Sequence, residues 1–276
     1  MTDSPPTSVR PRWIARYAAL VRAGWLVDLQ YRAAVSIWLL WGLIDPLISL
    51  GIWWSIAAGG SIEGYDRPAF ARYFFAVILV NQLTLAWDAF YIDNWIRGGE
   101  MNHRLARPIS PIHEAVADNI AYKLRTAGTV IMLWLLAAAV WEPVRIPIEP
   151  ARWALAAIAT LFAAAIRFLN GYATGLLAFW TTRATAIMET QYGISLFLSG
   201  RIAPLSLLPP AVVSVAGVLW FPYMLAFPVE ILTGAITGVD AYARGFAWQV
   251  FWLTAWFGAY RVVWSRGLRH YGAVGG

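Results

Sequence analysis

Apolar positions fill the chain in long blocks, parted by short polar stretches in which arginine is the commonest charge. A helix needs about 20 apolar residues to cross a hydrocarbon core of about 30 Å. By that measure residues 33–58, 70–95, 116–141 and 152–180 are spans one to four. A fifth begins near Ala186 and reaches Leu198, and the last covers residues 246–264. Between Gly200 and Gly238 the chain stays apolar but is interrupted by Pro204, Pro209, Pro210, Pro222 and Pro228. Each proline removes a backbone donor that a straight span requires. Irregular backbone at membrane depth survives only where protein or a water-filled cavity covers it. Residues 201–236 therefore read as short re-entrant helices that dip in and return on one side; a seventh true span is the rival reading.

Residues 13–31 follow a different rule. Trp13, Tyr17, Leu20, Val21, Trp25 and Leu29 share one helical face, with Arg12, Arg16, Arg22 and Asp28 elsewhere. Such a segment predicts an interfacial helix lying in the headgroup layer. The alternative is an ordinary packed amphipathic helix. The expected fold is thus all-α: one transmembrane domain over residues 1–276, with six transmembrane helices.

Composition agrees. Sixty per cent of the 276 residues are hydrophobic and 13% charged, at a mean hydropathy of +0.58. Soluble domains run nearer half apolar and a quarter charged, and a single core of this size cannot hide the excess. The net charge of +6 sits between apolar blocks, which is the pattern of membrane orientation and not of nucleic-acid binding.

Counting arginines sets the expected topology. With the N-terminus inside, the inner segments hold Arg10, Arg12, Arg16, Arg22 and Arg32, then Arg97, Arg104, Arg107, Lys123 and Arg125. Arg183, Arg261, Arg266 and Arg269 follow on the same side. The outer segments keep Arg67, Arg72, Arg145, Arg152, Arg201 and Arg244. That bias, roughly two to one or better, puts both termini in the cytoplasm and favours an even number of spans. Residues 1–12 are polar and proline-rich, so no signal peptide is expected there. Trp38, Trp53, Trp95, Trp141 and Trp264 near span ends fit an interfacial belt.

Enzymatic chemistry finds no support. Cysteine is absent, and His103, His113 and His270 lie in a loop or the tail, so no metal or catalytic site is expected. HExxH, GxSxG and the phosphate-binding GxxxxGK[ST] are all missing.

The most informative loop is 97–111, which opens on Gly98-Gly99 and closes on Pro108-Ile109-Ser110-Pro111. Glu100 to Arg107 predict two turns of helix along the membrane face. Met101 and Leu105 form the apolar anchor, with Glu100, Arg104 and Arg107 towards the cytoplasm. A solvated positive loop is the plainer alternative.

This loop, Gly99-Glu100-Met101-Asn102-His103-Arg104-Leu105-Ala106-Arg107-Pro108, resembles the coupling helix of the type-2 ATP-binding-cassette (ABC) exporter permeases. Ser199-Gly200-Arg201-Ile202-Ala203-Pro204-Leu205 with Leu208-Pro209 is similar to that family's broken outer segment. So is Trp220-Phe221-Pro222-Tyr223 with Phe227-Pro228 and Gly234. The resemblance covers nearly the whole chain. It implies an exporter permease in a bacterial inner membrane, forming half a translocation pathway as a homodimer or a related heterodimer. It also implies a separate ATPase dimer that supplies ATP and magnesium and receives Glu100, Met101, His103, Arg104, Leu105 and Arg107. No cofactor is expected in this chain. An ATP-independent channel or secondary transporter is the competing reading, although the two halves show no inverted repeat.

Polar residues within spans are costly in lipid and are functional candidates. Asp45 and Arg167 fall at similar depth, so they are an expected ion pair, with Asp88 or Glu189 as other partners. Asn81, Thr84 and Asp88 share a stripe of span two with Gln82 beside it, and span five opens on Glu189, Gln191 and Tyr192. In the resembled family these two spans line the route between protomers. Interhelical hydrogen bonding is the alternative for such side chains. Gly171 and Gly175 predict a close helix contact.

Overall fold

The computed structural model describes residues 12–30 and 32–272, without the side chains at 12, 27–29, 32–36, 38 and 41. Arg10 and the side chains of Arg12, Asp28, Leu29, Arg32 and Trp38, named above, lie outside the described residues. Those residues are almost wholly helical and include no strand.

Twelve α-helices follow in chain order: α1 (Arg12–Gln30), α2 (Arg32–Ile56), α3 (Arg67–Thr84), α4 (Asp88–Arg97), α5 (Met101–Leu105), α6 (Pro111–Val140), α7 (Pro150–Gly175), α8 (Ala184–Leu198), α9 (Pro210–Val218), α10 (Phe221–Met224), α11 (Ala226–Thr233) and α12 (Val239–His270). Among the described residues four stretches are long and apolar enough to cross a membrane: Gly42–Gly59, Arg67–Arg97, Pro111–Val140 and Pro150–Phe179. They match the expected spans one to four. α8 has only 15 residues, and α12, although uncharged over residues 245–260, is lowered in mean hydropathy by Gln249 and its tryptophans, so neither qualifies by length and composition.

Burial ranks these stretches. Along Arg67–Arg97 67% of the apolar window is buried, against 17% along Pro111–Val140. α3 is therefore the hub, packed against α2, α6, α7 and α11, while α6 is peripheral. Leu124, Ile131, Leu135 and Leu136 of α6, and Ile44, Leu47, Ile48 and Ile52 of α2, remain exposed. Apolar stripes of that length need a non-aqueous surround.

Span two is broken where neither proline nor glycine marks the sequence. Residues 85–87 leave the helix, with Leu85 at φ −53°, ψ 136°, and α4 restarts at Asp88. α4 then packs closely on α7: a β-carbon at Gly175 would lie 2.8 Å from the Ala89 carbonyl oxygen, whereas one at Gly171 meets Ala89 at an ordinary 3.7 Å. The expected close contact at this glycine pair is thus made by Gly175.

α1 packs along the first turns of α6, with Tyr17 bonded to His113 and Gly24 against Asp118 and Ala121. Burial raises the Tyr17 phenol above its ordinary pKa. Trp13 and Leu26 stay exposed, at 65% and 56%. The expected apolar face, Tyr17, Leu20, Val21 and Trp25, is the half-buried side, and the exposed side carries Arg16 and Arg22 with Ile14 and Leu26.

At the other end of the bundle α9, α10 and α11 replace a straight helix, as the prolines require. Tyr73 donates to the Gly200 carbonyl at 2.7 Å, and Trp53 Nε1 to the Ile202 carbonyl at 2.9 Å. Gly200, at φ +81°, sits where a β-carbon would meet Tyr73 and Ala226, so only glycine fits this turn. Gln249 of α12, fully buried, donates to the carbonyls of Ala159 and Tyr223, both at 2.9 Å, and ties α12 to α7 and α10.

Candidate functional site

Two places bring the predicted residues together: a polar cavity beside the break in span two, and the α5 turn.

The cavity, of about 440 Å³, lies among α2, α3, α4, α7, α8 and α10. Asp45, Asn81, Arg167, Glu189, Gln191 and Tyr192 all reach its wall. The expected Asp45–Arg167 ion pair is not formed. Asp45 accepts from Arg201 Nη2 at 3.1 Å and from the Tyr192 hydroxyl at 3.4 Å. Arg201 arrives from the turn after α8, held in place by the Gly200 geometry. Depth along a helix sets no azimuth, and the closer cation won.

Arg167 turns instead to α3. Its Nη1 donates to Asn81 Oδ1 at 2.9 Å and to Thr84 Oγ1 at 3.2 Å. Both acceptors belong to the last turn of α3, whose unpaired carbonyls carry partial negative charge. A guanidinium is thus accommodated by a helix end and two neutral side chains.

The predicted polar stripe of span two splits at the break. Asn81 faces the cavity and Thr84 contacts Arg167. Gln82 is spent on a hydrogen bond to the Leu39 carbonyl at 3.2 Å and packs over Gly42. Asp88 leaves the stripe, because residues 85–87 interrupt the helical phase. It accepts from Asn119 Nδ2 at 3.1 Å on α6, and Lys123 caps the same asparagine. Gln191 donates weakly to Thr174 Oγ1 at 3.4 Å, while Glu189 and Tyr192 are exposed at the rim. Sequence reasoning missed Asn170, Thr174 and Ser195 on the wall, and the inward turn of Arg201. Asn170 and Thr174 follow Arg167 at three and seven residues, a helical stripe visible in the sequence. A larger groove of about 1000 Å³ between α3, α6 and α7 is walled mainly by apolar side chains, Trp134 and Trp153 among them.

At the α5 turn the structure shortens the predicted two-turn helix to Met101–Leu105. Met101 is fully buried, whereas Leu105 is 38% exposed, so only one of the two expected anchors packs inward. Arg104 departs further from expectation. Its guanidinium lies 3.5 Å from the Trp95 ring centroid and pairs with Glu114, instead of projecting outward. Arg107 reaches the other Glu114 oxygen at 2.7 Å. Glu114, 7% exposed at the side chain, therefore clamps both arginines to the start of α6. It was missed in the sequence, where an acidic residue in a first helical turn signals only a helix start. Glu100, His103, Leu105 and Arg107 form the exposed face.

A family model described as ABC-2 family transporter protein matches residues 46–275. No curated protein matches the chain.

Proposed function

Because the chain belongs to the ABC-2 transporter family, we propose that it is the permease subunit of an exporter, half of a pathway driven by a separate ATPase. In this reading α8 and α12 are spans five and six, α9 to α11 are re-entrant on the outer side, and both termini are cytoplasmic. The membrane is the bacterial inner membrane. A second permease chain, identical or related, completes the pathway by covering the exposed cavity rim at Glu189 and Tyr192. ATP and magnesium belong to the ATPase dimer; this chain transmits and does not hydrolyse.

The observation that carries the reading is the clamp around α5. A five-residue helix holds no shape alone. Here Met101, the Arg104–Trp95 stack and Glu114 fix it to α4 and α6 at once. Movement of α5 is thereby movement of the short α4 and the 30-residue α6 together, which a coupling element requires. Its exposed Glu100, His103, Leu105 and Arg107 offer mixed charge around one apolar side chain, a surface suited to a cleft on the ATPase.

Copurification tests this. His103→Glu with Leu105→Asp, both outside the clamp, should abolish recovery of the ATPase with the permease while leaving the permease in the membrane. Undiminished recovery and ATP hydrolysis would overturn the coupling assignment.

A further inference from the structure

The wall of the polar cavity holds two arginines, Arg167 and Arg201, and two carboxylates, Asp45 and Glu189, yet only Arg201 is bonded to one of them. Arg167 meets only neutral acceptors, and among the described residues no carboxylate pairs with it. Its single committed nitrogen leaves the rest of the guanidinium fork for another partner. Arg201 spends one nitrogen on Asp45, and its Nε is buried with no acceptor among the described residues. Asn170, 8% exposed, likewise leaves Nδ2 buried and unsatisfied. The other carboxylate on the wall, Glu189, is exposed at the rim. A ligand rich in acceptors satisfies the open side of the Arg167 guanidinium.

The remaining wall is apolar: Leu85, Trp87, Phe90, Met188, Phe221 and Met224. Residues 85–87 bring unwound backbone to the same surface, which membrane helices tolerate where they line a cavity.

We propose that this cavity binds an amphiphile with an anionic head group, phosphate or carboxylate, seated on Arg167 with its apolar body against the Trp87–Phe90 wall. The inference rests on the permease reading and adds to it a cargo class. Arg167 is the specificity-determining residue: planar, permanently charged and able to grip two oxygens at once. Asn81 and Thr84 position it, and Arg201 and Asn170 line the same wall from α8's turn and α7. Cationic amphiphiles are excluded by the same charge.

Direct binding tests the inference. The full-length chain in phosphatidylcholine nanodiscs, without nucleotide, would be titrated with radiolabelled dodecyl phosphate, dodecanoate and dodecyltrimethylammonium. Both anionic probes should bind about tenfold or more tighter than the cation, and Arg167→Gln should erase that preference while Arg167→Lys keeps part of it. A phosphate-over-carboxylate ranking identifies the head group; equal affinity means that charge alone is read. Equal binding of anions and cation, or a preference that survives Arg167→Gln, would overturn the inference. Should Arg167→Gln not assemble, Asn81→Asp, which sets a carboxylate beside the guanidinium, must weaken dodecyl phosphate to the same extent, and undiminished binding there also overturns it. Because binding is read without nucleotide, loss of ATPase copurification leaves this result standing, and a failure here leaves the docking of α5 intact.

Discussion

Arg167 of α7 donates to Asn81 in the last turn of α3, 86 residues earlier in the chain, across 2.9 Å. This bond joins the hub helix to the wall of the polar cavity. Asn81→Leu strands the guanidinium and should lower stability by about 1–3 kcal/mol. Asn81→Ser should cost less, because a hydroxyl still accepts. Thermal unfolding in detergent measures both, and an unchanged midpoint in Asn81→Leu would contradict the contact.

Asp45 is bonded to Arg201 and not to Arg167. A double-mutant cycle separates the two possibilities. The Asp45/Arg201 pair should show coupling of about 0.5–1 kcal/mol, the low end for contacting residues, since Asp45 is 48% exposed at its side chain. The Asp45/Arg167 cycle should close near zero.

The two glycines of α7 should respond differently to the same small change. Gly175→Ala drives a methyl against the Ala89 backbone oxygen and should cost about 1–3 kcal/mol by overpacking. Gly171→Ala meets ordinary van der Waals distance and should be tolerated. Equal effects in an unfolding assay would refute the close α4–α7 approach.

Glu114→Gln keeps the shape of the clamp but removes the charge that holds Arg104 and Arg107. Breaking a fully buried ion pair costs about 3–5 kcal/mol; Arg107 is 56% exposed at the side chain, so a loss of about 2 kcal/mol is expected. Protease accessibility of the 97–110 turn should rise, and ATPase recovery should fall although Glu114 lies behind the docking face.

Much of this architecture was legible because hydrophobic blocks and prolines act over short stretches. Apolar runs marked the first four spans to within a few residues, and Pro204 to Pro228 foretold the broken segment. What escaped depends on azimuth and on long-range partners. Asn81, Thr84 and Asp88 share one stripe only while the helix is continuous, and the break at 85–87 has no proline or glycine to announce it. Arg104 shows a second limit. The loop pattern placed it outward with Arg107, but a ring at Trp95 and a carboxylate at Glu114 drew it in. Arg201 shows a third: the motif around Gly200 was visible, yet nothing in it says that the side chain turns into the bundle.

The gap at 85–87 divides span two mechanically. An unbroken helix is a stiff rod that passes axial load from end to end. With three residues lacking helical support, α4 can tilt at the joint while α3 stays seated in its surroundings. Its tight seat on α7 at Gly175 then makes α7 the element that inherits the displacement, and Arg167 rides on α7 beside the joint. Faster amide exchange at 85–87 than in the flanking helices is the signature of such a joint.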